Sequence, residues 1–159
     1  LGLDVVSGGE LHLALKAFFP AERIILHGNN KLRQEIETAV EEGASRIVVD
    51  WEGEIDIIDA VSKTKGKRTP ILLRVTPEVK TLTHKYIQTG HRGSKFGIPL
   101  ERIPYTVKKT MSLPNVELKG FHFHLGSQID DYRPYLDAVD VVTKLMSDLR
   151  DHFGYIAGT

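Results

Sequence analysis

The chain has 159 residues, enough to bury a sizeable core as one domain. Lys plus Arg and Asp plus Glu each number 21, so the formal net charge is zero and no broad basic face is on offer to nucleic acid or an anionic membrane. Apolar runs such as Ile47-Val48-Val49 are far too short to span a bilayer, no signal-type segment opens the chain, and the lack of Cys removes disulfides, thiolate nucleophiles and Cys-type zinc sites, which fits a cytoplasmic setting.

The first apolar run, at 3–6, reads as a strand, and Ser7-Gly8-Gly9-Glu10 behind it has the form of a capping box opening a helix with Leu11, Ala14, Leu15 and Phe18 on its inner face. A second strand at 23–26 precedes a stripe of Leu32, Ile36, Ala39 and Val40 that stops at Gly43. A third at 46–49 precedes Ile55, Ile58 and Val61, and a fourth at 71–75 precedes a long connection from Pro77 to Pro99. Then come Ile103, Val107 and Met111, ended by Pro114, a fifth strand at 118–124, and a last helix started by Asp130 or Asp131 and striped by Tyr135, Val139, Val142, Leu145, Met146 and Leu149. Continuous apolar strands alternating with helices, with no hairpin signal, predict an α/β fold with a parallel sheet. A closed (β/α)8 barrel takes about 250 residues, so the pattern predicts a partial TIM-type barrel of about five of its eight βα units. The rival is an open doubly wound sheet, but Ser7-Gly8-Gly9-Glu10 lacks the G-x-G-x-x-G spacing of a dinucleotide loop.

The stretch Gly120-Phe121-His122-Phe123-His124-Leu125-Gly126-Ser127-Gln128 is the richest in chemistry. Side chains two apart on a strand share a face, which pairs His122 with His124. Gly126 allows a tight turn where the Ser127 hydroxyl and neighbouring amides can meet an anion. The other strand ends contribute Asp4 with Glu10, His27-Gly28-Asn29-Asn30-Lys31, Asp50 and Arg74, which a barrel gathers at one mouth. Each has a plainer reading: Glu10 completes the capping box, Asn29 and Asn30 serve a turn, Asp50 caps a helix, one His belongs to the core and Ser127 to an ordinary turn. Arg74 needs a partner if buried, and Glu10 or Asp4 could supply it. His12, His84 and His152 read as surface residues.

Leu3-Asp4-Val5-Val6-Ser7-Gly8-Gly9-Glu10, His27-Gly28-Asn29-Asn30-Lys31, Thr89-Gly90 with Ser94-Lys95-Phe96-Gly97, and His122 through Gln128 occur in the order found in diaminopimelate decarboxylases, which this chain resembles from Leu1 to about Leu149. These are pyridoxal-phosphate enzymes of the alanine racemase-like barrel group that convert meso-diaminopimelate to L-lysine. Ornithine decarboxylases share the Asp4, Glu10, Arg74, His124 and Ser127 positions, and biosynthetic arginine decarboxylases a motif like 124–128, so those activities are the nearest alternatives. The resemblance implies that His124 stacks on the pyridine ring, that Ser127 bonds the cofactor phosphate, and that Asp4, Glu10 and Arg74 form a polar network around the cofactor. It implies a homodimer with a small amino-acid substrate, with Lys95 reaching toward the second subunit. It also places the Schiff-base lysine upstream of Leu1, and the glycine-rich phosphate loop and a C-terminal β domain downstream. On that reading residues 1–159 are a fragment of the cofactor-binding barrel, hold no catalytic residue of their own, and are inactive and poorly stable alone. Two further readings compete: a metal-dependent barrel hydrolase using His122 and His124, and a barrel relative that has lost its chemistry and serves as a binding partner.

Overall fold

The computed structural model describes residues 1–79 and 96–158. Strand β1 (Leu3–Val5) leads into α1 (Gly8–Lys16), β2 (Ile24–Leu26) into α2 (Arg33–Glu42), and β3 (Arg46–Val49) into α3 (Glu52–Lys65). The longest strand, β4 (Thr69–Thr76), is followed by the two-residue β5 (Ile98–Pro99) and α4 (Ile103–Met111), and the chain closes with β6 (Val116–His122) and α5 (Arg133–Phe153). Among the described residues every pairing is parallel: β1 to β2, β2 to β3 and β3 to β4, after which β4 pairs with β6 along Thr69–Arg74 and with β5 at Val75 and Thr76. Five βα units around one parallel sheet is the architecture the sequence pattern predicts.

The helices bury one face of the strands, and the other face is part-covered. Ile24, Leu26, Ile47, Val49, Ile71 and Leu73 are inaccessible to solvent and meet Leu11, Ile36, Ile55, Ile58, Ile103 and Val107 from the helices in one core. Truncating any of the Leu or Ile residues among these to Ala costs about 2–5 kcal/mol. Along β4 the buried apolar residues are Ile71, Leu73 and Val75, so Leu72 and Arg74 occupy the other face. The β4–β6 register shifts between Ile71 and Leu72, where Leu118 and Gly120 are the successive partners of β6, and it brings His122 opposite Arg74. A one-residue slip would turn the opposite set of side chains toward Arg74, so the irregularity at Lys119 belongs to the construction of the site.

Four expectations from periodicity differ. Leu32, expected on the inner stripe of α2, is the N-cap residue of that helix and is 60% exposed. Phe18 is 93% exposed, because α1 ends at Lys16 and Phe18 takes φ 58°, leaving Phe19 to pack on the core. Met111 is exposed at the end of α4. On α5 the inward line is Ala138, Val142 and Leu149, while Tyr135 and Val139 join Tyr132 and Leu136 on an exposed apolar face.

Candidate active site at the carboxyl ends of the strands

The site grows from Arg74, the last inward charge on β4. Its Nη1 donates to Asp50 Oδ1 at 2.8 Å, and both side chains are largely buried. A charge-assisted bond of this kind is what a guanidinium at the end of an apolar strand requires. The other face of the guanidinium lies 5.2 Å from the ring centroid of Phe96, within cation–π range. Phe96 is held in turn by the Thr76 hydroxyl, which donates to its carbonyl at 2.8 Å. Gly97 follows with φ 82°, and a Cβ there would lie 3.0 Å from Thr76 Oγ1 and 3.2 Å from the Arg74 carbonyl oxygen. Only glycine permits both that backbone conformation and that approach.

The neighbouring wall comes from β2. The His27 N–H donates to the Val5 carbonyl at 2.7 Å, and the chain then turns at Gly28. Gly28 has φ 109°, and a Cβ there would come within 2.9 Å of the Val6 carbonyl oxygen. The turn aims the His27 ring edge-on at His122, centroids 4.7 Å apart, with His27 Nε2 3.5 Å from Asp4 Oδ1. Asp4, His27, Arg74, Phe96, His122 and His124 line one cavity of about 490 Å³.

Its electrostatics are set by burial beside a fixed cation. Burial, then His27 and Arg74, push the His122 imidazolium down to about 4. His27 is lowered by burial against the opposing pull of Asp4, and His124 by burial and then Arg74. Three uncharged imidazoles therefore face the cavity at neutral pH, with Arg74 as its guanidinium. His122 Nδ1 is buried with no hydrogen-bond partner among the described residues, an unmet polar atom that a ligand in the cavity could satisfy.

Of the residues singled out from sequence, the fold brings Asp4, Arg74 and His124 together. Glu10 and Ser127 stand outside the cavity lining. The Glu10 carboxylate accepts the Val6 N–H at 2.8 Å while Ser7 Oγ accepts the Glu10 N–H at 3.2 Å, so Glu10 secures the entry to α1. Ser127 is exposed in the turn after β6. The expected partner of Arg74 is corrected: it is Asp50, with Asp4 engaged by His27 and Glu10 by backbone. Asp50 is likewise no helix cap, since Trp51 holds the N-cap position of α3 and the Asp50 carboxylate points to Arg74. His122, the more deeply buried of the two, lines the cavity beside His124. Lys95, Thr89-Gly90, Ser94, His84 and His91 lie outside the described residues.

Sequence reasoning passed over the ion pair beneath this site. Lys31 Nζ lies 3.0 Å from Glu54 Oε1, both side chains 1% exposed, and donates to the Gly28 carbonyl at 2.5 Å. Glu54 Oε2 accepts the Asp50 N–H at 2.7 Å. A signal for Glu54 was present: it stands four and seven residues before Ile58 and Val61, a carboxylate in phase with the apolar stripe of α3. Among the described residues no three His, Asp or Glu side chains converge as metal ligands.

A parallel βα barrel segment with its imidazoles, guanidinium and carboxylate gathered at the carboxyl ends of the strands has these groups where barrel enzymes carry their active sites. Comparison with known proteins gives the lineage. Residues 1–157 match the family described as pyridoxal-dependent decarboxylase, pyridoxal binding domain, and the chain belongs to that family. It is 41% identical over 159 residues to the diaminopimelate decarboxylase of Bacillus subtilis, covering 99% of this chain and 36% of the relative, and 40% identical over 148 residues to that of Aquifex aeolicus, covering 93% and 35%. Among solved structures, the diaminopimelate decarboxylase of Helicobacter pylori complexed with L-lysine superposes with a TM-score of 0.89 at 31% identity, over 94% of this chain and 38% of that one. The chain thus spans little more than a third of the length of the relatives it matches.

Proposed function

We propose that the protein carrying this chain decarboxylates meso-diaminopimelate to L-lysine with pyridoxal 5'-phosphate, and that residues 1–159 are a piece of its cofactor-binding barrel. The carrying observation is the cavity at the strand ends, where His124, Arg74 and Asp4 meet within a segment that matches the family from end to end. The residues fit the cofactor's chemistry. An uncharged His124 imidazole offers a flat aromatic surface for a pyridine ring, His122 Nδ1 is a buried polar atom in need of a partner, and Arg74 supplies a fixed positive charge facing an anionic ligand. Ser127, on the turn beyond His124, would bond the phosphate.

When bound, pyridoxal phosphate supplies an electron sink for the pair left behind as carbon dioxide departs. This chain's own residues bind and orient. His124 would lie against one face of the ring and leave the other for substrate, Asp4 with His27 would hold one wall, and the Asp50–Arg74 pair would hold the neighbouring one. The anchoring lysine is assigned to sequence outside 1–159. Lys31, the lysine held beneath the cavity, is a poor substitute, since its ammonium is occupied by the Gly28 carbonyl and by Glu54. Glu10 keeps a supporting role through the backbone at Val6, which itself lines the cavity. The same reading assigns a homodimer whose C-terminal β domain completes the substrate site, a cytoplasmic setting and no nucleic-acid partner. The exposed apolar face of α5 supports further chain packing there.

The test is lysine formation from meso-diaminopimelate by the protein expressed from its complete gene, with and without pyridoxal phosphate. Cofactor-dependent lysine release supports the assignment. Turnover of ornithine or arginine in preference to diaminopimelate moves the substrate, and zinc-dependent hydrolysis with no cofactor binding replaces the reading altogether.

A further inference from the structure

Two ionisable side chains of opposite kind buried side by side call for an explanation, because desolvation of the charged forms costs several kcal/mol each and a well-packed apolar pair is commonly as stable or more so. Lys31 and Glu54 are such a pair, each side chain 1% exposed. Burial pushes the Glu54 carboxyl up despite the opposing pull of Lys31 and of the Asp50 N–H, so stability alone is a weak reason for the pair. Its connections are more telling. On one side, Lys31 donates to the carbonyl of Gly28, the glycine of the turn that aims His27 into the cavity. On the other, Glu54 accepts the backbone N–H of Asp50, and the Asp50 carboxylate in turn accepts from Arg74. One continuous set of polar contacts therefore runs beneath the cavity from the end of β2, through the starts of α2 and α3, to the ends of β3 and β4.

We infer that Lys31 and Glu54 are positioning residues: the buried pair sets the backbone at Gly28 and at Asp50, and through them the His27 ring and the Arg74 guanidinium on the cavity walls. Neither residue lines the cavity, so neither touches a ligand, and the effect passes through Asp50 and the Gly28 turn. The cofactor measurement rests on the proposed function, whereas the placement of Arg74 does not.

Two double variants of the complete protein separate positioning from simple support. In K31M/E54L the pair becomes apolar and of similar size, and the acceptor for the Asp50 N–H is lost. In K31M/E54Q the charges are removed while the Gln side-chain carbonyl still accepts that N–H. A misplacement on the order of 1 Å at a working site costs up to about a hundredfold. We therefore expect K31M/E54L to melt near the wild type, to bind pyridoxal phosphate about tenfold or more weakly, and to show the Arg74–Asp50 contact broken in a cofactor-free crystal structure. K31M/E54Q should keep that contact and bind the cofactor at least a few-fold more tightly than K31M/E54L, with its remaining loss and a displaced His27 ring marking the absent Lys31–Gly28 bond. Unchanged cofactor affinity and Arg74 geometry in K31M/E54L would overturn the inference, as would equal losses in both variants. If the wild-type protein binds no pyridoxal phosphate, the proposed function fails, and the cofactor-free structures still decide whether the pair positions Arg74.

Discussion

Glu52 and Glu54 sit two residues apart in the first turn of α3, and each faces a cation, yet the surroundings treat them oppositely. Glu52 takes a two-pronged bond from Arg102 at the surface, at 2.9 and 2.8 Å, and accepts from the buried Thr106 hydroxyl at 3.2 Å. The Arg102 hydrogen bonds hold its carboxyl below the ordinary carboxylate range. Glu54 has its cation at 3.0 Å and is sealed, and burial pushes its carboxyl the other way. Pairing is common to both, so exposure decides the sign. The outer pair ties α3 to α4, and the inner one underlies the cavity. A carboxylate kept where water cannot reach it is retained for what it holds in place, and at Glu54 that is the backbone of Asp50.

The largest effect that tests this contrast is removal of one inner partner. Glu54→Leu leaves the Lys31 ammonium buried with only the Gly28 carbonyl, and breaking a buried pair in this way costs about 3–5 kcal/mol. Denaturant unfolding of the complete protein should show that loss, with most of it recovered in K31M/E54L. A loss no larger than that of a surface substitution would mean that Lys31 escapes to solvent and that the contrast with Glu52 is one of degree.

Next comes the rim of the cavity. His124→Ala removes the aromatic surface assigned to the cofactor ring and should weaken pyridoxal phosphate binding and slow lysine formation about a hundredfold, by analogy with other displaced site groups, while melting stays near wild type. His122 responds to pH instead. Its folded value of about 4 lies below the ordinary 6.5, so the unfolded chain takes up the proton first. The stability it supports is complete above about pH 6.5 and is lost as pH falls toward 4. His27 and His124 are lowered too and act in the same direction. His122→Phe should flatten part of the acid limb of a stability–pH curve, and an unchanged limb would place the His122 proton elsewhere.

Much of this molecule is legible in its sequence. The parallel βα order, the helix stop at Gly43 and the His122/His124 pairing follow from periods of 2 and 3.6 and from local turn chemistry. Partner choice was not legible. Arg74 selects Asp50 over Asp4 because β3 is the neighbour of β4, whereas β1 lies two strands further away, and strand order is not written in local pattern. Phe18 misled for a different reason: its spacing suits the inner face of α1, but the helix stops two residues short of it. Glu54 was visible as a charge inside an apolar stripe, and its meaning emerged only when Lys31 arrived from another loop.

The smallest expected effect comes from the outer pair. Glu52→Gln keeps a side chain that can still accept from Arg102 and Thr106 and deletes one charge that water already screens, so the melting temperature should shift by little more than the error of measurement. The sign with pH is nevertheless defined. Because the folded carboxyl of Glu52 is lowered, its contribution is present above the ordinary value of 4.5 and is lost as pH falls through the folded value. The gap between wild type and variant should therefore close in acid, and it should also shrink as added salt screens the pair. Glu54 predicts the reverse: with its folded carboxyl raised, its contribution declines as pH rises above 4.5. Measuring both variants across one pH series turns the comparison into two slopes of opposite sign. Slopes of the same sign would show that the two carboxylates share one environment and that burial does not distinguish them.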